Sequence, residues 1–591
     1  MSDDGQRTWK SHRVAGVVVA LVMVVHTGVL VNVAFNTCVT HDEYWHIPVG
    51  LWNLTHGEFH YDNLNPPLPR VLSAIPLVIA GAETGDVADD ADKEARADTF
   101  VAANHDRYSR LISLSRLSTI AVSLFVAGLL ASWALELFGP GAAVTSVILW
   151  CFSPNVLANA PLVTSDVPAA CAMLLVIRAA WKYAERPTWR RALWLGFWFG
   201  VAQLVKFTCI LAAPVIIAIW WVRRCGNGDC DKQKTSVTAK QWAALLLVTI
   251  LTVNMGFLFR GTGRPLNEFK PQSQSMTAIQ RLVPWTTMPV PLPADYIEGI
   301  DHQRTIMEQL HPVYLNGKWS FEGFRSYYLY TLWYKTPHAT QILAAVSLLV
   351  TIFPSRSHRN FRLQAAILLP VLLLTLVASL SHMQLGHRYL LPVFPFLFLF
   401  AGQVASVGVR RIGLPQFLAI AATFGLASTL RCHPHYLSYF NELSGGPETA
   451  DTLLVDSNLD WGQDLFELRD FVKEYDVQDL RLAYFGMVNP VDLGIPYSLP
   501  NNDSLRPGWY AISVNFVRGG PHTIRHPGGR YDAVMFNTFG WFRLPEIQPV
   551  ATIGHSIRIY NLSAANIQRV NQVLAYLKQQ GVPVPTDIPD N

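Results

Sequence analysis

The sequence predicts a polytopic α-helical membrane protein that carries a soluble α/β domain at its C-terminal end. Of its 591 residues, 51% are hydrophobic and only 15% are charged, whereas an average soluble protein carries about 25% charged residues. Mean hydropathy is positive, and long apolar runs recur as far as residue 430. Together these observations indicate repeated membrane crossings.

We predict about eleven transmembrane helices, since eleven apolar segments alternate with polar or basic loops. The first has about 22 apolar residues and would be about 33 Å long, enough to cross the hydrocarbon core. It is longer than the apolar part of a signal peptide, and no small-residue cleavage site follows it. The predicted spans are 14–35, 112–135, 141–157, 164–181, 191–205, 207–222, 240–259, 338–353, 362–380, 388–407 and 412–430.

Basic residues fall on one side of this eleven-span arrangement. With the N-terminus in the cytoplasm, every cytoplasmic loop is basic, as the positive-inside rule requires. These loops are KYAERPTWRR, RRCGNGDCDKQK, SRSHRNFR and VRRIG. The outer side then receives two long loops, 37–110 and 260–337, and everything after residue 431.

The predicted domains are a transmembrane catalytic region, residues 1–431, and an extracytoplasmic α/β domain, residues 432–591. The second contains no predicted span. Its segments RLAYFGM, WYAISVNFV, YDAVMFN and SIRIYN are typical of short strands. DLFELRDFVKEY and AANIQRVNQVLAYLKQQ are typical of amphipathic helices.

Charge and cysteine content exclude some functions. The formal net charge is only +4, so no strongly basic surface favours nucleic acid. The seven cysteines are scattered and predict no disulfide framework. Cys225 and Cys230 form an isolated C-x4-C pair in a loop, and no second ligand pair for zinc stands nearby.

Ionisable residues gather at the outer ends of the predicted spans. Such groups are functional candidates because removing them from water is costly. A carboxylate here could take a proton from an acceptor hydroxyl, and cations could hold a phosphate leaving group. The candidates are Asp42, Glu43 and His46 in HDEYWH, Asp166 in TSDVP, Lys206 in LVKFT, and His387 and Arg388 in GHRYLL.

Each candidate also has a structural interpretation. Asp42 or Asp166 could cap the helix that follows it, and Glu43 could be solvated. Lys206 or Arg388 could extend toward lipid headgroups.

Two further features leave alternatives open. His46 stands four residues after Asp42 and shares its face if the segment is helical, but it could also pack against the membrane surface. Asp456, Asp460 and Asp464 in DSNLDWGQDL would share a helix face and could bind a divalent cation. The alternative is a loop that enters a helix, with aspartate caps.

The order of these motifs resembles that of a known family. HDEYWH is followed by NPPLPR, TSDVP, LVKFT, LPADYIEGIDHQ, YLNGKWSFEGFRSYYLYTLWYKTP, GHRYLLPVFPF, HPHYLSYFNELSGGP and DSNLDWGQDL. In this order they resemble the GT-C membrane glycosyltransferases. The specific resemblance is to glycosyltransferase family 39, the protein O-mannosyltransferase-like and aminoarabinose-transferase-like enzymes, including a bacterial branch of phospholipid-carrier-dependent glycosyltransferases.

The resemblance implies an inverting transfer of a sugar, mannose or similar, from a polyprenyl phosphate to an extracytoplasmic protein, lipid or glycan. It implies that Asp42 is the general base and Glu43 its partner acid. Lys206 and Arg388 would bind phosphate, and Asp166 would shape the donor or acceptor site. It also implies a bacterial cytoplasmic membrane as the location.

Two features depart from the family pattern. Asn65 stands before the paired prolines, where protein O-mannosyltransferases have histidine and aminoarabinose-transferase-like enzymes have lysine. The loop 260–337 is also too short for the soluble repeat domain of protein O-mannosyltransferases. Neither a protein acceptor nor transfer to lipid A is therefore indicated.

Two other classes of protein compete with this hypothesis. A transporter or flippase would also place ionisable residues in its spans, but we find no internal repeat, and the charged residues gather at one leaflet. A scaffold whose outer domain binds a partner would not need eleven spans.

Overall fold

The computed structural model describes residues 3–88, 91–225, 235–353, 361–406, 414–501 and 504–580. Three predicted cytoplasmic loops fall mostly outside these residues, namely 223–234, 355–362 and 409–413. Cys230 also lies outside them. The cysteines whose side chains are described are all buried and free.

The described residues are mainly helical. In chain order the α-helices are α1 (Asp3–Asn36), α2 (Glu43–His56), α3 (Leu68–Ile79), α4 (Lys93–Ala103), α5 (Tyr108–Phe138), α6 (Pro140–Cys151), α7 (Pro154–Asn159), α8 (Asp166–Glu185), α9 (Trp189–Val205), α10 (Ala212–Cys225), α11 (Thr235–Gly256), α12 (Gln274–Leu282), α13 (Ala294–Glu308), α14 (Tyr327–Lys335), α15 (His338–Ile352), α16 (Phe361–Leu380), α17 (Phe394–Gly402), α18 (Leu414–Leu430), α19 (Leu465–Glu474), α20 (Val514–Val517) and α21 (Ala564–Gln579).

Six helical segments of the described residues are long and apolar enough to cross a membrane. They coincide with six of the eleven predicted spans, so the chain is a multi-pass membrane protein. The segments are His12–Asn36, His105–Phe138, Asp166–Glu185, Ala239–Gly256, Arg362–Leu380 and His387–Ser406.

The other five predicted spans contain shorter helices. The predicted span 141–157 is divided into α6 and α7 at Ser153, because Pro154 has no N–H to donate and disfavours helical geometry at the residue before it. The predicted span 191–205 is α9, with 17 residues.

Two short helices, α2 and α3, follow α1 within residues 37–110. Helix α2 ends at Gly57, whose φ of 68° is left-handed and whose N–H bonds to the Asn53 carbonyl. Pro66 and Pro67 then turn the chain into α3. Helix α3 has 12 residues and is about 18 Å long, too short to span a bilayer.

Short strands lie in the loop 260–337 and in the C-terminal region. They are β1 (Val313–Leu315), β2 (Lys318–Ser320), β3 (Arg481–Ala483), β4 (Gly508–Ser513), β5 (His522–Arg525), β6 (Tyr531–Val534), β7 (Ala551–Ile553) and β8 (Ile557–Leu562). One four-stranded sheet has the order β3-β4-β8-β7; β3 and β4 are parallel, and the other pairs are antiparallel. The four predicted strand segments contain β3, β4, β6 and β8, and the two predicted helices are α19 and α21.

The C-terminal sheet shares a hydrophobic cluster with the loop 37–110. Tyr44 and Phe100 of that loop are buried in one cluster with Leu482 and Ile557 of the sheet. Arg525 adds a polar link, because its Nη1 donates to the Tyr44 hydroxyl at 2.8 Å. This packing holds the C-terminal region over the segment that contains Asp42.

A buried ion pair joins α1, α2 and α5. Glu43 and Arg116 both have fully buried side chains, and the guanidinium donates from Nε and Nη2 to the two carboxylate oxygens at 2.9 and 2.6 Å. Arg116 also donates to the carbonyls of Ala34, Thr37 and Cys38 at 3.1, 2.9 and 2.7 Å. The pair therefore satisfies carbonyls that the end of α1 leaves without helical partners.

We expect Glu43→Gln to lower the melting temperature of the purified protein clearly. Breaking a buried ion pair from one side typically costs about 3–5 kcal/mol, because it leaves the other charge buried without compensation. The matched control is Glu83→Gln in the same outer loop, whose side chain is 70% exposed. It should change the unfolding free energy by no more than about 0.5 kcal/mol. Equal melting temperatures for the two variants would contradict the structural role of Glu43.

Candidate active site

Four of the predicted site residues meet at one point. The Nη1 atom of Arg388 lies 2.7 Å from Oδ2 of Asp42 and 3.7 Å from Oδ2 of Asp166. Lys206 Nζ lies 2.5 Å from the other oxygen of Asp166. Residues that are distant in the sequence thus form a row of alternating charge, which we call the charged row: Asp42, Arg388, Asp166 and Lys206.

The two acids of the charged row stand at helix starts. Asp42 occupies the N-cap position of α2 but makes no side-chain capping bond, so capping is not its role. Asp166 is the first residue of α8, and Ser165 occupies the N-cap position. Both carboxylates are directed to cations instead.

The two cations of the charged row stand where helices are interrupted. Lys206 adopts an extended conformation, φ −158° and ψ 133°, between α9 and a 3-10 helix, Phe207–Leu211. Arg388 belongs to a second 3-10 helix, His387–Val393, directly before α17. Neither side chain extends to a membrane surface, because only 10% of the Lys206 side chain and 11% of the Arg388 side chain are exposed.

Asp42 is held in its charged form. Burial alone would raise the pKa of Asp42, but the Arg388 guanidinium and, more weakly, His41 hold it well below its usual range. The side chain keeps 23% of its surface exposed. It is therefore an accessible carboxylate that is ionised at neutral pH.

The site contains buried polar atoms without partners. Oδ2 of Asp166, Nε of Arg388 and both ring nitrogens of His387 make no hydrogen bond within the described residues. Buried polar atoms are normally paired, and exceptions need an explanation. A polar or anionic ligand beside the charged row would supply the missing partners.

The environment of Glu43 differs from the solvated one that its structural interpretation predicts. Glu43 is fully buried, so the solvated interpretation is wrong. Besides Arg116, it accepts hydrogen bonds from the Thr40 N–H and hydroxyl, both at 3.0 Å, and from the Val163 N–H at 2.9 Å. Its oxygens are directed to the protein interior, where they fix the position of its neighbour Asp42.

The two predicted histidines are also buried. His46 lies one turn after Asp42 in α2, as a helical segment requires, with its Nδ1 3.1 Å from the Val163 carbonyl and its Nε2 3.7 Å from Asp62. The backbone N–H of His387 donates to Asn458 at 2.8 Å. His46 thus contacts the segment before α8, whereas the His387 ring is buried against Phe394 and its nitrogens make no hydrogen bond among the described residues.

Sequence reasoning missed Arg116 and Lys335. A charged residue inside the predicted span 112–135 was the available signal for Arg116. Lys335 is buried at the end of α14; its ammonium donates to the carbonyls of Leu437, at 2.8 Å, and Asn458, and burial lowers its pKa to about 7. It stands in the motif YLYTLWYKTP, but nothing in the local sequence marks it as buried.

The acidic segment DSNLDWGQDL is not one helix. A 3-10 turn at Asp456–Asn458 is separated from α19 by turns, so the three aspartates do not share a helix face. Asp464 instead lies near His435 and Glu467, and ligand-type atoms of these three residues lie within 4.8 Å of one another. The His435 ring contacts the two carboxylates through different nitrogens, at 3.1 and 3.3 Å. The segment therefore enters α19 as a loop.

Comparison with known proteins identifies one matching family model. Residues 111–255 match the family described as dolichyl-phosphate-mannose-protein mannosyltransferase. No curated protein sequence matches the chain. The matched segment includes Asp166 and Lys206 and ends before Arg388.

Two solved structures are similar to this chain. ArnT from Cupriavidus metallidurans, bound to undecaprenyl phosphate, is 11% identical with a TM-score of 0.45, over 93% of this chain and 98% of that one. The archaeal oligosaccharyltransferase AglB from Archaeoglobus fulgidus, in complex with an inhibitory peptide and a dolichol-phosphate, is 12% identical with a TM-score of 0.45, over 96% and 87%.

The fold and the site define a multi-pass membrane protein with a buried centre of paired charges. The resemblance to GT-C glycosyltransferases of the family 39 type, predicted from the motif order, is confirmed by the family model over residues 111–255.

A double-mutant cycle tests whether Asp166 and Lys206 act as a pair. Asp166→Asn leaves the buried Lys206 ammonium without its carboxylate, and Lys206→Met leaves Asp166 with only its longer contact to Arg388, at 3.7 Å. Each should therefore lower the melting temperature. The double variant removes both charges and should be less destabilised than the two single losses predict together. Additive losses of melting temperature in purified protein would show that the two side chains do not interact.

Proposed function

We propose that this protein is an inverting glycosyltransferase that moves a sugar, mannose or similar, from a polyprenyl-phosphate carrier to an acceptor on the non-cytoplasmic side. The observation that carries the proposal is the ionised Asp42 carboxylate, held by Arg388 within one row of charges that also contains Lys206. The matching family model supports the donor class, since its description names a dolichyl-phosphate-linked sugar.

The charged row suits a single displacement. Lys206 and Arg388 bind the donor phosphate and neutralise the charge that develops on it. Asp42 takes the proton of the acceptor hydroxyl, whose oxygen attacks the anomeric carbon. The bond between that carbon and the phosphate oxygen breaks, and the polyprenyl phosphate leaves with the electron pair. The proton remains on Asp42 until water removes it.

The same proposal assigns each part of the chain to one side of the membrane. Eleven spans with a cytoplasmic N-terminus would place the charged row and residues 432–591 outside, where lipid-linked sugars are consumed. The basic cytoplasmic loops support this orientation. A bacterial inner membrane is the location that the family resemblance favours, and residues 432–591 then form the extracytoplasmic α/β domain.

Asp42→Asn should abolish sugar transfer while the protein remains folded. The amide keeps the size of the side chain but cannot accept the proton, and loss of a general base typically costs a factor of about 100 to 10,000 in rate. The assay uses purified protein in lipid, radiolabelled sugar on a short polyprenyl phosphate and a panel of acceptors. Asp106→Asn, in the same outer loop and with a fully exposed side chain, is the matched control.

Two results would contradict this assignment. Normal transfer by Asp42→Asn would exclude Asp42 as the base. Movement of the intact lipid-linked sugar across vesicles, without transfer by the wild type, would favour a transporter instead.

Arg388→Gln should move the acid limb of the pH–rate profile to higher pH. Arg388 holds the pKa of Asp42 well below its usual value of 3.8, against the effect of burial. In the wild type Asp42 therefore loses its base function only as the pH falls through that lowered pKa. Without the guanidinium, burial raises the pKa, so protonation begins at higher pH.

The measurement is kcat/KM between pH 3.5 and 8, normalised to each variant's own maximum because Arg388 also binds phosphate in this account. Arg325→Gln is the control, since its side chain is exposed in the last outer loop. An acid limb at the same pH in both variants would exclude Arg388 as the group that tunes Asp42.

A further inference from the structure

A cavity of about 310 Å³ opens beside Asp42, between the charged row and the C-terminal region. Asp42 and Arg388 line one side, and residues of the C-terminal region line the other: Asp456, Trp461, Phe485 and His522. Neither Asp166 nor Lys206 is among the described residues that line it. The cavity thus reaches Asp42 from a direction other than that of Lys206.

Aromatic rings form one wall of this cavity. The ring of His41 lies parallel to that of Phe485, with centroids 5.9 Å apart. His522 contacts both, at 4.4 Å from Phe485 and 5.0 Å from His41. On the charged side, the Arg388 guanidinium lies 4.1 Å from the ring centre of Trp461. These rings border the cavity next to carboxylates; His41 and His522 are partly exposed, whereas Phe485 and Trp461 are mostly buried.

Asp456 supplies a second carboxyl group in the cavity. Its φ of 62° is left-handed, a strained conformation for a residue other than glycine that is typically found at functional sites. The conformation is held by its backbone N–H, which donates to Asn515 at 2.7 Å. Burial raises the pKa of Asp456, whereas Asp42 stays ionised, so the two carboxyl groups differ in their affinity for a proton.

This combination matches a carbohydrate. A sugar ring has an apolar face of C–H groups that packs on aromatic rings and a rim of hydroxyls that bond to carboxyl groups. Small-molecule sites combine apolar and aromatic walls with a few placed polar groups, and typically measure about 300–1,000 Å³. At the lower end of that range, this cavity has room for one or two sugar rings and not for a folded protein.

We infer that the acceptor is a glycan whose terminal sugar ring binds in this cavity, packed against the wall formed by His522 and Phe485, with one hydroxyl held by Asp456 and another directed to Asp42. This inference rests on the proposed function and specifies the chemical class of its acceptor. In a single displacement the base must contact the acceptor, and the phosphate leaves on the opposite side of the anomeric carbon. Lys206 does not line the cavity and marks the phosphate side, whereas Arg388 lines the cavity and also contacts Asp166, so it stands between the two sides. The cavity that meets Asp42 away from Lys206 is therefore the acceptor side.

The test is saturation-transfer NMR of methyl glycosides with the full-length protein in lipid nanodiscs. Asp456→Asn and His522→Ala are compared with the wild type and with Asp470→Asn, a control whose side chain is 65% exposed. Asparagine tolerates left-handed backbone, so Asp456→Asn should keep the loop. Binding of a short polyprenyl phosphate without sugar is measured in the same samples, because it reports on the phosphate side alone.

We expect at least one methyl glycoside to bind the wild type and the control, and each cavity variant to weaken its binding by about tenfold, as the loss of one hydrogen bond or ring contact implies. Binding of the polyprenyl phosphate should stay within about twofold. With labelled donor present, the same glycoside should become glycosylated.

Other outcomes overturn the inference in distinguishable ways. If the polyprenyl phosphate binds but no glycoside does, or if all variants bind the glycoside alike, the acceptor site is wrong and the proposed function stands. A glycoside that competes with the lipid-linked donor and is never glycosylated would make the cavity a donor subsite. If neither glycoside nor polyprenyl phosphate binds, the proposed function fails as well.

Discussion

The Glu43–Arg116 ion pair is the constraint on which the site depends. Two fully buried charges are tolerated only because each carboxylate oxygen and each guanidinium nitrogen has a partner. Those partners belong to the end of α1, the start of α2, helix α5 and the segment before α8. Asp42 is covalently next to Glu43, so the network that fixes one acid also fixes the other. The two adjacent acids of HDEYWH therefore have different roles: Glu43 stabilises the structure, and Asp42 lines the cavity.

The charged row shows the same pairing of opposite charges at the site of the proposed reaction. Each acid faces a cation, so opposite charges are paired at a place where isolated charges would be costly. Asp166, Arg388 and His387 still carry buried polar atoms that accept or donate no hydrogen bond among the described residues. Such a centre is prepared for a charged ligand before the ligand arrives, and preorganised charge is a large source of catalytic power. The C-terminal region completes the site by adding aromatic rings and Asp456.

The sequence predicted the residues whose chemistry is unusual for their surroundings. Asp42, Asp166, Lys206 and Arg388 stand beside apolar runs, where ionisable groups are rare, and the structure brings all four together. The prediction for Glu43 was incomplete, because its partner Arg116 lies 73 positions away and nothing local links them. For DSNLDWGQDL the sequence left a helix and a loop that enters a helix as alternatives. The loop is present, because Gly462 has a φ of 86°, a left-handed value that a continuing helix excludes. The cavity wall could not be predicted, because it joins segments from residue 41 to residue 522.

The most direct measurement is the anomeric configuration of the transfer product, compared by NMR with that of the lipid-linked donor. Asp42 is the one acid of the charged row that lines the cavity, and Glu43 is enclosed by Arg116, so the account predicts a single displacement and an inverted product. A product with retained configuration would require a second nucleophile at the anomeric carbon. It would contradict the role assigned to Asp42 and the arrangement of the site around it.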